Sequence, residues 1–278
     1  MTGTSARTAF VLGGGGLLGA VEVGMLRALF EAGVRPDLVL GTSVGALNGA
    51  LVAADPGPGV IDRLVGLWES AAGNREVYGD GPVRQVRRAV RTGTHLHSSR
   101  PLRERLGIEL GDRTFADLEV EFQCCAASIE RAAEHWFTQG RVVDAVVASA
   151  AVPGLLRPAV VGGEHYLDGG IVNSIPVGRA VEQGAGRVFV LQVGRVDRPL
   201  RPPRKPWEVA RVSFEIARRH RFHREMAALP EHVEAHVLPT GGSTARDDSL
   251  LSYRDFRAVV RRIDAAYHAS VTFLETAL

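Results

Sequence analysis

The pentapeptide Gly41-Thr42-Ser43-Val44-Gly45 places a serine between two glycines, in the pattern Gly-x-Ser-x-Gly. An apolar run, 38–40, precedes it, and a run typical of a helix, 46–54, follows it. A strand, this pattern and a helix together predict a nucleophile elbow, a sharp turn that exposes the serine hydroxyl at the helix N-terminus. Glycines on both sides relieve the crowding of such a turn. Ser43 is therefore a candidate nucleophile for acyl transfer, with Gly41 and Gly45 in structural roles.

A serine nucleophile also needs donors for the oxyanion that develops on the substrate carbonyl. Four consecutive glycines, Gly13 to Gly16, follow the first apolar run and precede a run typical of a helix. A loop between a strand and a helix N-terminus can turn its backbone N–H groups toward an anion, and glycine permits close approach. Gly14, Gly15 and Gly16 are therefore candidates for an oxyanion hole.

The same loop supports a rival interpretation. Gly14, Gly16 and Gly19 match the dinucleotide-binding pattern G-x-G-x-x-G, and Asp37 could serve as its ribose-binding acid. Two observations count against this reading. Asp37 begins the second strand, whereas the ribose-binding acid belongs at that strand's carboxyl end. That end carries the Ser43 turn, which a dinucleotide fold does not require. A dinucleotide-binding protein nevertheless remains an alternative.

The proton acceptor for Ser43 is the remaining question. All nine histidines follow the elbow, and none lies in a motif that suggests a base; His165 at a strand end and the helical pair His220 and His223 are weak candidates. Asp168 ends an apolar strand and precedes Gly169 and Gly170, which permit an unusual turn. A carboxylate there could accept the serine proton directly. The plain alternative is that Asp-Gly-Gly is only a turn.

The elements that would position these residues alternate between strands and helices. The pattern predicts strands at 8–12, 38–40, 120–128, 135–138, 166–168 and 188–193, and helices over 17–32, 60–110, 207–229 and 253–274. Continuous apolar strands that alternate with helices indicate a mainly parallel, helix-covered sheet in three layers, α/β/α. Both glycine motifs would then lie at the carboxyl ends of neighbouring strands and face one crevice.

Composition limits the remaining possibilities. A chain of 278 residues with 45% hydrophobic residues can bury a large core, and its net charge of +2 does not favour a nucleic-acid partner. Cys124 and Cys125 are adjacent, so neither a disulfide framework nor a metal-ligand spacing is expected. No apolar stretch reaches about 18 residues, the length that predicts a membrane span. These features favour a cytoplasmic protein.

Three segments together resemble the patatin-like phospholipase family, and a bacterial member is expected. They are the loop Gly14 to Gly19, the elbow Gly41 to Gly45, and Asp168-Gly169-Gly170; the segments Ala148 to Gly154 and Tyr166 to Val177 are also similar to the family's pattern. The resemblance covers about residues 8–181. It implies a patatin-like catalytic domain over 8–181, with strands and helices of 182–278 completing the same globule.

The resemblance implies a function as well. Ser43 would be the nucleophile and Asp168 its sole partner, in a Ser–Asp dyad that hydrolyses lipid acyl esters through an acyl-enzyme, as in a phospholipase A or a lysophospholipase. Gly14, Gly15 and Gly16 would form the oxyanion hole, and Gly19, Gly169 and Gly170 would be structural. No cofactor is implied. An esterase or thioesterase for soluble acyl groups remains an alternative. Leu18 stands where many members carry Arg or Lys, which puts the substrate class in question.

A lipid substrate implies contact with a membrane surface, peripheral and on its inner face. Two basic runs could provide it through anionic headgroups. One comprises Arg84, Arg87, Arg88 and Arg91, and the other lies on the helix that begins near Trp207. The alternative is that both are solvated helix faces.

Overall fold

The computed structural model describes residues 6–73, 95–194, 196, 199–242 and 256–278. The strands are β1 (Thr8–Leu12), β2 (Leu38–Thr42), β3 (His95–His97), β4 (Glu121–Ser128), β5 (Ala133–Phe137), β6 (Gly154–Leu156), β7 (Ala159–Val161), β8 (Glu164–Asp168), β9 (Arg187–Leu191) and β10 (Glu234–Val237). The helices are α1 (Ala20–Glu31), α2 (Val44–Ala54), α3 (Gly59–Gly73), α4 (Arg100–Leu110), α5 (Val142–Ser149), α6 (Val177–Glu182), α7 (Pro206–Ala227) and α8 (Phe256–Ala277).

Eight of these strands form one mixed sheet, in the order β10-β9-β1-β2-β4-β8-β7, with β5 also paired to β4. The five strands from β10 to β4 are parallel, and β5, β7 and β8 pair antiparallel. The predicted α/β fold with a mainly parallel sheet is therefore confirmed.

Alternate residues of the central strands enter two separate cores, as the period of two in a strand requires. Phe10, Leu12 and Val39 pack on one face with residues of α1, α2, α3 and α8. Ala9, Val11 and Leu40 pack on the other face with residues of α6 and α7. Helices thus cover both faces of the sheet, which is the three-layer arrangement.

The chain after residue 181 contributes to the same sheet and core. Strand β9 pairs with β1, and β10 pairs with β9. Helix α8 lies against α1 so closely that a Cβ on Gly24 would stand 2.1 Å from the carbonyl oxygen of Ile263. The proposed division of the chain at residue 181 stays a prediction.

One predicted element is wrong. The pattern predicts helix over 60–110, but within that range His95–His97 forms β3, which pairs in parallel with β6. This pairing joins segments far apart in the sequence, so local periodicity gives no sign of it. The basic run from Arg84 to Arg91 lies outside the described residues.

Candidate active site

Ser43 lies at the turn between β2 and α2, in the position that the elbow pattern predicts. Its φ of 56° and ψ of −119° are unusual for a residue with a side chain. The flanking glycines allow the turn: a Cβ on Gly41 would stand 2.5 Å from Ala46 Cα, and one on Gly45 would stand 2.2 Å from Leu12 O. The elbow thus packs against the carboxyl end of β1, where the glycine loop begins.

Asp168 ends β8, and the sheet brings its carboxylate to Ser43. The Ser43 hydroxyl donates to Asp168 Oδ2 at 2.6 Å, and the Gly170 N–H donates to Oδ1 at 2.7 Å. Gly169 fits against β4, because a Cβ there would stand 2.2 Å from Cys125 O. The candidate nucleophile and the candidate base are therefore in direct contact, with no imidazole between them.

The dyad is nearly closed to solvent. Ser43 is 6% exposed and Asp168 is 5% exposed. Burial raises the pKa of Asp168 to about 6, and the hydrogen bonds from Ser43 and Gly170 oppose this rise. A carboxylate with a raised pKa is a stronger base than an ordinary aspartate, which suits proton abstraction from a serine.

Ser149 supports the elbow and was not anticipated from the sequence. Its hydroxyl accepts the Ser43 N–H at 2.8 Å and donates to Cys125 O at 2.6 Å. Ser149 is the last residue of α5, and its hydroxyl therefore links the elbow to β4. The Thr42 hydroxyl adds a second link, donating to Asn173 O at 2.8 Å. The only sequence signal for Ser149 was its place among small residues near 145–151.

The glycine loop lies beside Ser43, but its donors differ from the prediction in one respect. A Cβ on Gly14 would stand 3.5 Å from Ser43 Cβ, so the loop is adjacent to the nucleophile. The Gly14 N–H donates to Ser174 O at 2.8 Å. Because this hydrogen bond already uses the Gly14 proton, Gly14 is less suited than its neighbours to donate to an oxyanion; the oxyanion hole itself stays a prediction. Gly15 is exposed and Gly16 is half-buried, and their N–H groups remain the candidate donors.

A buried polar network lies beneath this loop and was also missed. Glu22 Oε2 accepts the Asn48 amide at 2.7 Å, and the same amide donates to Gly19 O at 3.0 Å. The Trp68 indole N–H donates to Asn48 Oδ1 at 3.1 Å. Burial raises the pKa of Glu22 well above its usual range. The carbonyl oxygen of Gly19 is thus bound to this network, and the structural role of Gly19 stays a prediction.

The residues of the rival interpretations lie elsewhere. Asp37 Oδ2 accepts the Thr8 N–H at 2.8 Å at the amino ends of β1 and β2, opposite to the glycine loop. His165 Nδ1 contacts Glu130 on the surface. Among the described residues, no group of three or more His, Cys, Asp or Glu side chains is placed to hold a metal ion.

Three basic residues of α7 form ion pairs within the protein. Arg218, which is 6% exposed, pairs with Glu215, as does Arg219. Arg221 pairs with Glu134 and Glu225. These three arginines are thus engaged by acidic side chains of the protein, and contact of the basic runs with anionic headgroups stays a prediction. No helix of the described residues combines the length and the apolar character that crossing a membrane requires.

Comparison with known proteins identifies the family. The model of the family "Patatin-like phospholipase" matches residues 10–181. Lysophospholipase nte1 of Aspergillus terreus and of Emericella nidulans are each 32% identical over 187 residues, which is 67% of this chain. The aligned part is only 12% of each of those proteins.

Among solved structures, VipD from Legionella pneumophila matches with a TM-score of 0.50 and 15% sequence identity. The match covers 98% of this chain and 67% of VipD, and it shows a shared fold. The family model, which matches more than half of the sequence, and the relatives of 32% identity show that the chain belongs to the patatin-like phospholipase family.

Proposed function

We propose that this protein is a serine hydrolase that cleaves the acyl ester bonds of lipids through a Ser43–Asp168 dyad. The hydrogen bond of 2.6 Å between the Ser43 hydroxyl and the buried Asp168 carboxylate carries the proposal. It supplies a nucleophile already oriented toward its base. Membership of the patatin-like phospholipase family supports the same chemistry.

The reaction would proceed in two halves. As Ser43 Oγ attacks the substrate carbonyl carbon, Asp168 Oδ2 takes the hydroxyl proton, and the Gly15 and Gly16 N–H groups stabilise the oxyanion. Collapse of the tetrahedral intermediate breaks the bond to the alcohol, which leaves with the proton from Asp168. Asp168 then accepts a proton from water as the water attacks the acyl-enzyme. When the second tetrahedral intermediate collapses, the bond between the acyl carbon and Ser43 Oγ breaks, Asp168 returns the proton to Ser43 Oγ, and the fatty acid departs.

The substrate class we favour is a phospholipid or a lysophospholipid. The two relatives described above, which match this chain over 187 residues, are named lysophospholipases. Such a substrate brings the enzyme to a lipid surface, so we propose peripheral membrane contact. Leu18 is partly buried at the glycine loop and offers no positive charge to a headgroup phosphate. A cytoplasmic location stays a prediction.

The test is hydrolysis by the purified protein of p-nitrophenyl butyrate and of lysophosphatidylcholine, with product release measured for both. We expect turnover of both substrates by the wild type and none above background by Ser43→Ala. Ser213→Ala, which alters an exposed serine of α7, is the matched control and should retain full activity. Undiminished hydrolysis by Ser43→Ala would rule out the proposed nucleophile.

The same assay separates the alternatives. Turnover of the soluble ester alone, unaffected by phospholipid vesicles, would favour an esterase or a thioesterase. Saturable binding of NAD without any ester hydrolysis would favour a dinucleotide-binding protein, although the position of Asp37 argues against it.

A further inference from the structure

Two large apolar side chains are exposed immediately beside the dyad. Ile171, which lies three residues beyond Asp168, is 42% exposed, and Phe214 of α7 is 38% exposed. Exposed apolar side chains scattered singly are ordinary on a protein surface. These two differ because helix α7 packs against the turn of residues Gly169–Ile171 that follows the catalytic carboxylate.

The geometry at Gly170 fixes the place of Phe214. A Cβ on Gly170 would stand 2.9 Å from Phe214 Cζ and also 2.9 Å from Asp168 Oδ1. The ring edge of Phe214 and the carboxylate oxygen of Asp168 therefore both adjoin the space that a side chain at position 170 would fill. Glycine at 170 lets the aromatic ring reach the rim of the site.

Helix α7 is anchored so that Phe214 keeps this position. The Arg221 guanidinium donates to Val172 O at 2.7 Å, one residue past Ile171. The Arg218 guanidinium donates to Val193 O at 3.3 Å, and the Val193 side chain fills the space above Gly15. The helix is thus tied both to the Asp168 turn and to the glycine loop.

We propose that Phe214 and Ile171 form an apolar wall that holds the acyl chain of the substrate next to Ser43, and that this wall sets the preference for chain length. The inference rests on the proposed function. An ester carries one long apolar part, its acyl chain, and each methylene removed from water favours binding by about fourfold. An exposed apolar wall at the rim of a buried dyad is suited to receive that part.

The same helix provides matched controls. Val209 and Ile216 are 50% and 55% exposed, so they are at least as accessible as Phe214. They lie seven residues apart and therefore share one side of α7. Phe214 lies five residues after the first and two before the second, so it points to a different side. Val209→Ala and Ile216→Ala should leave chain-length preference unchanged.

The experiment measures kcat/KM for p-nitrophenyl acetate, butyrate, hexanoate and octanoate. For Phe214→Ala we expect the octanoate-to-acetate ratio to fall by about fivefold or more relative to the wild type, with a smaller fall for Ile171→Ala. Activity on acetate, whose acyl group is too short to reach the wall, should change little. Phe214→Leu, which keeps an apolar side chain, should lie between the wild type and Phe214→Ala and serves if the alanine variant fails to fold.

Two results would overturn the inference while the proposed function stands. One is an equal loss on all four esters in the Phe214 variants, which would indicate support of Asp168 rather than contact with the chain. The other is the same change of ratio in Val209→Ala or Ile216→Ala. A wild type that hydrolyses none of the esters would overturn the proposed function and, with it, this inference.

Discussion

Two carboxyl groups lie buried within the same part of the molecule, Asp168 at the elbow and Glu22 beneath the glycine loop. Asp168 is 5% exposed and Glu22 is fully buried, and burial raises the pKa of both. Their partners differ. Asp168 accepts a hydrogen bond from a serine at an unusual backbone conformation, whereas Glu22 accepts one from the Asn48 amide.

This difference shows that burial alone does not identify a catalytic acid or base. For both groups the raised pKa arises from burial, which disfavours the charged form and says nothing of a role in catalysis. At Asp168 the hydrogen-bonded partner is the proposed nucleophile, so the proton on that bond would move during the proposed reaction. At Glu22 the partner is the Asn48 amide, which also donates to Gly19 O and accepts the Trp68 indole N–H. The hydrogen bond between Glu22 and Asn48 therefore belongs to a network that joins parts of the fold. We therefore expect Asp168 to act in the reaction and Glu22 to stabilise the fold.

The largest expected effect is on activity. Asp168→Asn removes the proton acceptor and should lower kcat by about 10³-fold or more. Glu22→Gln keeps the size and one acceptor oxygen, so its kcat should stay within about threefold of the wild type. Steady-state hydrolysis of p-nitrophenyl butyrate measures both. If kcat fell equally in the two variants, Asp168 could not be distinguished from Glu22 as the proton acceptor.

The next effect is on stability. Glu22→Ala leaves a cavity and deprives the Asn48 amide of an acceptor, so the free energy of unfolding should fall by about 2 to 4 kcal/mol. Denaturant unfolding followed by circular dichroism measures this change. Glu22→Gln is the matched control and should lose less. A Glu22→Ala variant as stable as the wild type would show that the network contributes nothing to the fold.

The pH dependence of activity should distinguish the two carboxyls. Asp168 must be ionised to accept the serine proton, so kcat/KM should rise with pH and level off above about 6, near its raised pKa. Below this value the rate should fall about tenfold per pH unit as the carboxylate is protonated. Glu22→Gln should show the same acidic limb. If the acidic limb disappears in Glu22→Gln, the titrating group is Glu22, which would contradict its assignment to Asp168.

The smallest effect is expected at Trp68. Trp68→Phe keeps the apolar ring but removes the N–H that donates to Asn48 Oδ1, which should cost about 1 kcal/mol of stability. Because Asn48 still binds Glu22 and Gly19, kcat should change less than about twofold. Thermal unfolding and butyrate hydrolysis check the two parts. If Trp68→Phe lost as much activity as Asp168→Asn, the network of Trp68, Asn48 and Glu22 would have a part in catalysis, contrary to this prediction.

The sequence predicted those parts of the site that depend on local turn chemistry. Gly41 and Gly45 flank a turn that only glycines fit, and the carboxyl ends of parallel strands must meet at one edge of a sheet. Asp168 was recognisable because two glycines follow an apolar strand. Continuous apolar strands that alternate with helices were enough to predict the fold class.

The remaining contacts join residues far apart in the chain and leave no local pattern. Ser149 reaches Ser43 across 106 positions, and Trp68 reaches Asn48 through helix packing. Phe214 lies next to Gly170 because α7 packs against the turn of residues Gly169–Ile171. The engagement of the Gly14 N–H by Ser174 likewise depends on tertiary structure. Periodicity and motif spacing cannot supply such pairings.

Covalent labelling of Ser43 is the most direct test of the proposed Ser43–Asp168 dyad. The wild type, Ser43→Ala and Asp168→Asn are each treated with a fluorophosphonate, and peptide mass spectrometry locates and times the adduct. We expect an adduct on Ser43 in the wild type, none at that position in Ser43→Ala, and labelling slower by about 10²-fold or more in Asp168→Asn. Inhibition of hydrolysis without an adduct on Ser43, or labelling of Asp168→Asn at the wild-type rate, would contradict the dyad.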